Sequence, residues 1–202
     1  MIAGFTISLR RLAVAGAFTL AASLAAISDV HAQGPADDEA DPVFVFNKVC
    51  YSQVPSIVAI RDMATRLAWQ ALEKSDLKLF SPGTEPDVLE GWDVQVGKKF
   101  FRLGLVRTAV SDRFKQTFPD FADGAAVSCT LVLDGGSNAV EVSEGMQKLA
   151  GKEPASRDVP DGEFRTTTWA GGNENYKVFL ISKAAAAGET GLLNVTILAK
   201  AK

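Results

Sequence analysis

The chain has 202 residues, with 21 basic and 24 acidic side chains, one histidine and two cysteines. That length fits a single domain of ordinary size. A formal net charge of −3 argues against nucleic acid or an anionic membrane surface as the main partner.

The first charges are Arg10 and Arg11, and none follows until Asp29. An apolar run rich in Ala and Gly lies between them, and Val30-His31-Ala32 closes it with small side chains at the positions a signal peptidase reads. Residues 1–32 are therefore read as a cleavable signal peptide. The run is too short and too weakly apolar for a permanent membrane anchor, for which about 20 strongly apolar residues are needed. No cysteine near Ala32 supports a lipid anchor. Removing Arg10, Arg11 and Asp29 leaves 19 basic and 23 acidic residues, a net charge of −4. The expected location is the periplasm or the medium.

Export determines how Cys50 and Cys129 are read. Two cysteines in an oxidising compartment are most simply a disulfide, and no Cys-x-x-Cys spacing marks a redox or metal site. Export also removes His31, the only histidine. A mature chain starting at Gln33 has no imidazole for a Ser-His-Asp or Cys-His centre, and none to ligate zinc or haem. No catalytic residue, metal ligand or cofactor is assigned.

Residues 33–42, QGPADDEADP, read as an acidic flexible tail, because nothing large and apolar in them repays the entropy of ordering. A single α+β domain is expected over 43–202. Val43 to Phe46 reads as a short strand leading to Cys50. Pro55 then opens an amphipathic helix whose apolar positions Ile57, Ile60, Met63, Ala64, Leu67, Ala68, Ala71 and Leu72 recur at three- and four-residue steps. After an irregular loop around 81–86, Trp92–Val96 and Lys99–Thr108 form a hairpin turning at Gly97-Lys98. Phe114, Phe118 and Phe121 follow in a loop expected to seal the core.

Ala125 to Asp134 reads as a buried strand holding Cys129, and Asn138 to Ala150 as a second helix ending at Gly151. A polar loop leads to three segments, Gly162–Trp169, Tyr176–Ala184 and Leu192–Ala199, connected as antiparallel hairpins. The expected fold is α+β, an antiparallel sheet of about five or six strands with two helices packed on one face. No repeat of fixed period is visible.

The densest acidic cluster is Glu85, Asp87, Glu90 and Asp93, with Trp92 inside it. Two carboxyl groups and a stacking ring are what a glycosidase uses, and several oxygen ligands are what calcium uses. The cluster lacks the alternating acids and glycine of a calcium loop, and acids in loops are usually solvated. Lys98, Lys99, Arg102 and Arg107 make the hairpin locally basic, although alternation divides them between two faces. The candidate ligand-binding residues are Trp92, Asp93, Glu90 and Trp169, since exposed tryptophans line pockets for sugars or apolar groups.

The function expected from these features is non-enzymatic binding in the cell envelope, with an unidentified envelope protein or glycan as partner. The alternatives are a carboxylate-dependent hydrolase acting on envelope polysaccharide, with acid and base drawn from the cluster, and a secreted inhibitor that presents a loop to another protein. Sequencing the mature N-terminus is expected to give Gln33 within a few residues; a start upstream of His31 contradicts the loss of histidine.

Overall fold

The computed structural model describes residues 41–133, 139–185 and 190–201. Residues 1–32, read from sequence as a signal peptide, and residues 33–40, read as part of an acidic tail, lie outside them. Asp41 and Pro42, assigned to the tail from sequence, instead begin the first helix, α1 (Pro42–Phe46). The Asp41 carboxylate accepts the Val43 amide at 2.8 Å, and Pro42 occupies the first turn, where its missing N–H costs nothing. The Val-Phe-Val-Phe run is therefore helical and not a strand. Its helix passes into a wider π-type turn, Asn47–Tyr51, and buries Val43, Phe46, Val49 and Cys50. Those positions recur at three- and four-residue steps, a helical period.

The strands are β1 (Gln70–Ala71), β2 (Val88–Val96), β3 (Lys99–Ala109), β4 (Ala125–Leu133), β5 (Ser156–Asp161), β6 (Phe164–Gly172), β7 (Tyr176–Ala185) and β8 (Gly191–Ala199). They form one antiparallel sheet in the order β1-β2-β3-β4-β8-β7-β6-β5. The α+β character agrees with the sequence reading, whereas a sheet of five or six strands does not. Two of the eight escape a pattern search because of their composition. β1 is two residues long, and β5 carries Arg157, Asp158, Pro160 and Asp161 with almost no buried face. Charge, proline and an irregular register in β5 blunt an edge against pairing with other chains.

The order consists of two meanders, β1–β4 and β5–β8, joined along β4 and β8. Each follows a long helix, α2 (Ile57–Arg66) or α5 (Ala139–Ala150). The register relates them: Trp92 on β2 lies across from Leu103 and then Leu131, as Trp169 on β6 lies across from Leu180 and then Val195. Thr130 and Asn194 pair on the seam, and the Asn194 amide donates to the Thr130 hydroxyl at 2.8 Å.

Helices cover both faces, not one. α1, the π-type turn, α2 and α5 share a core with Leu103, Leu105, Cys129, Leu131, Leu193 and Val195. Alternation sends the neighbouring residues to the other face. There α3 (Lys74–Leu77) leads through a short turn to Phe80, which lies so close over Gly104 that a Cβ would meet its ring at 2.1 Å. On the same face α4 (Asp112–Thr117) and the turn after it pack Phe114 and Phe118 on Phe179, at 5.2 and 5.8 Å between ring centres. Those aromatics cover this face of the sheet from a short helix and the turn after it, where the sequence reading expected a loop.

Ser56 caps α2, its hydroxyl accepting the Ala59 amide. The helix stops at Arg66, short of Ala71 and Leu72. Ala68 takes φ +51°, and the Trp69 amide reaches back to the Ala64 carbonyl at 2.9 Å, a six-to-one closure of the last turn. The chain then reverses into β1. Cys50 and Cys129 form the expected disulfide, with Cα atoms 5.4 Å apart, fastening the N-terminal helical segment to a central strand.

Substituting both cysteines by alanine is expected to lower the unfolding free energy by up to about 4–5 kcal/mol, because the unfolded chain regains the entropy that a cross-link spanning 79 positions removes; an unchanged urea midpoint contradicts this. Ala68→Gly relieves a left-handed residue at some cost in unfolded-chain freedom, so a gain of about 0.5–1 kcal/mol is expected by the same measurement.

Candidate functional site

A groove of about 700 Å³ lies where the C-terminal half of α2 and the chain after it meet the β2 edge of the sheet. This volume falls within the range of small-molecule sites, roughly 300–1,000 Å³. β1 creates the groove by being short: it covers β2 only at Trp92 and Asp93, and the Leu72 amide adds one bond to the Gly91 carbonyl. Trp92 forms one wall and is largely buried, while Trp69, brought back by the reversal after Ala68, forms another. Leu72, Leu77 and Leu89 supply apolar lining.

One charged pair stands at the groove. Arg61 on α2 holds Glu90 on β2 with two parallel hydrogen bonds, Nε–Oε2 at 2.9 Å and Nη2–Oε1 at 2.5 Å. Carboxylate and guanidinium match as planar forks. The hydrogen bonds and charge of Glu90 raise the Arg61 pKa above its ordinary value, so Arg61 stays charged.

The four candidate ligand-binding residues separate. Trp92 and Glu90 share the groove. Asp93, one residue on from Trp92, faces the opposite side of the sheet, where it lies 3.8 Å from Arg102. It lines a separate hollow with Leu67, Gln95 and Phe100. Trp169 belongs to the other meander and is 1% exposed, its indole N–H donating to the Gln147 side chain at 3.4 Å.

The acidic cluster separates as well. Glu85 is exposed in the loop before β2. Asp87 faces Arg107 at 3.9 Å, Glu90 is held by Arg61, and Asp93 lies beside Arg102. The structure does not bring two of these carboxylates across a cleft from one another. Among the described residues, no group of three His, Cys, Asp or Glu side chains is placed to hold a metal ion, and no helix is long and apolar enough to cross a membrane.

The sequence reading missed Arg61 and Leu72 as groove residues. Arg61 lies off the apolar period of α2, and its bond to Glu90, 29 positions away, has no local signal. Leu72 was assigned to the helix because the apolar period continues past the point where Ala68 ends it.

No family model matches the chain, and neither a curated protein nor a solved structure shows significant similarity to it.

Away from the groove, Lys183 on β7 donates to Asp161 on β5 and lowers the Asp161 pKa below the usual carboxylate range, first by that hydrogen bond and then by its charge. A depressed carboxylate pKa stabilises the fold above the unfolded value, and the effect is lost as pH falls through the folded one. Carboxyl-carbon NMR titration is expected to place Asp161 below an ordinary aspartate and to return it to the ordinary range in Lys183→Met; identical midpoints in both proteins contradict the pairing.

Proposed function

We propose that this chain is an exported domain of the cell envelope, in the periplasm or the medium, that binds a ligand or partner and does not turn over a substrate. The groove between α2 and the β2 edge is its binding surface. The observation that carries this reading is the fate of the acidic cluster. The carboxylates that a hydrolase would need as acid and base point to different faces or lie beside separate arginines, whereas Trp69, Trp92 and a leucine wall converge on one open groove. A glycoside hydrolase of ordinary mechanism sets two carboxyl groups at a fixed distance across the bond it breaks.

Export is supported by the residue order of 1–32 and is compatible with the Cys50–Cys129 disulfide, since such bonds persist in oxidising compartments. With His31 removed, general acid–base chemistry would fall to carboxylates, lysines or tyrosines. The groove instead offers apolar surface with one closed ion pair at its edge. Such a lining suits an apolar or ring-shaped group, bound by burial and stacking and oriented by the Arg61–Glu90 fork.

Titration with solubilised envelope polysaccharide, followed by tryptophan emission and by an assay for new reducing ends, separates binding from hydrolysis. A shift in emission that Trp69→Ala diminishes, with no reducing ends formed, is the expected result. Reducing ends that disappear in Glu90→Gln or Asp93→Asn overturn the proposal in favour of a hydrolase, and an emission trace that never responds removes glycan as the ligand.

A further inference from the structure

We propose that the second meander carries a separate site for an acidic sugar, a pyranose ring bearing a carboxylate. The groove it occupies holds about 280 Å³ and lies over β6 and β7 at the end of α5, with Trp169 as its floor. By register Trp169 is the counterpart of Trp92, but this groove runs from it toward Gly171, Gly172 and β7, whereas the α2 groove runs from Trp92 back to Leu89. Their chemistry differs. In the first groove the cation, Arg61, is closed onto Glu90. In the second the cation is Lys152, which has no carboxylate partner among the described residues.

Lys152 is held in position by its neighbours. Gly151, at φ +65°, turns the chain out of α5. The Gln147 side chain then accepts the Trp169 indole N–H and donates to the Lys152 carbonyl at 3.1 Å, tying floor and loop together. The Lys152 ammonium reaches across the strand to the Ala170 carbonyl. Gly171 leaves room for it, since a Cβ there would meet Nζ at 2.5 Å. That carbonyl is neutral and takes one of the three N–H donors, leaving two for a ligand.

The chain has only two tyrosines, and both line this groove. Tyr51 follows Cys50, so the disulfide fixes its place. Tyr176 opens β7, where the Asn173 side chain accepts its amide, and is 43% exposed. Two amphipathic rings from segments 125 positions apart, beside an uncompensated ammonium, present C–H stacking surface, hydroxyls and one positive charge. A pyranose face stacks on aromatic rings, its hydroxyls pair with phenols and its carboxylate pairs with the ammonium. An aliphatic anion would leave the rings unused, and a neutral sugar would leave the charge unused.

Glucuronate, glucose and acetate titrated into isotopically labelled protein test this directly. Glucuronate is expected to shift the amides of Gly171, Gly172 and Tyr176, with glucose and acetate each binding about tenfold more weakly or worse. Lys152→Met is expected to weaken glucuronate about tenfold, Tyr176→Ala about fivefold, and Tyr176→Phe about twofold or less. Lys152 and Tyr176 are exposed, so unchanged melting temperatures verify that each variant is folded. No glucuronate shift, equal affinity for acetate or glucose, or an unaltered affinity in Lys152→Met overturns the proposal. The amides read here belong to the second meander, so failure leaves the α2 groove unaffected.

Discussion

The Cys50–Cys129 disulfide is the constraint on which the structure depends. Cys129 lies on β4, between Leu105 of β3 and Val195 of β8, at the centre of the sheet. Cys50 ends the buried stretch that begins at Val43, so one covalent bond holds α1 and its π-type turn against the strands. That segment roofs the core. A segment of about ten residues is short for an independent helix in water. Its Val and Phe residues also favour strands. Capping by Asp41 and burial of Phe46 and Val49 favour the helix, and the disulfide keeps the segment where that burial is available.

From that anchor the two meanders differ in the chemistry of their grooves. Both present a tryptophan at the same register beneath the end of a helix, and both helices end at a residue with positive φ, Ala68 or Gly151. The first meander closes its charge with Arg61–Glu90 and opens an apolar groove because β1 stops after two residues. The second leaves the Lys152 charge open and places Tyr51 and Tyr176 beside it. Tyr51 directly follows Cys50, so the disulfide lies one residue from the lining of the second groove.

Much of the fold was legible in the sequence where pattern and burial coincide. The β2–β3 hairpin, β4, α5 and the last three strands follow apolar alternation or helical spacing bounded by glycine turns, and the disulfide follows from the cysteine count and the expectation of export. The rest had no local signal. Val43–Phe46 resembles a strand until Val49 and Cys50 are included in its period. β5 is an edge strand made of charge and proline, so its pairing is visible only through β6. The end of α2 at Ala68 lacks the glycine that usually marks such a reversal. For the site, Trp92 and Glu90 were legible as neighbours in one groove, whereas alternation sends Asp93 to the other face and Trp169 lies beneath the second groove. Arg61, Lys152, Tyr51 and Tyr176 depend on contacts between distant segments.

Hydrogen exchange of the oxidised and reduced protein, compared amide by amide, tests the anchoring role of the disulfide most directly. The expected result is that amides from Val43 to Tyr51 lose protection on reduction while those of β4 and β8 remain slow. Equal protection of Val43 to Tyr51 in the two states would contradict it, because packing alone would then hold the segment in place.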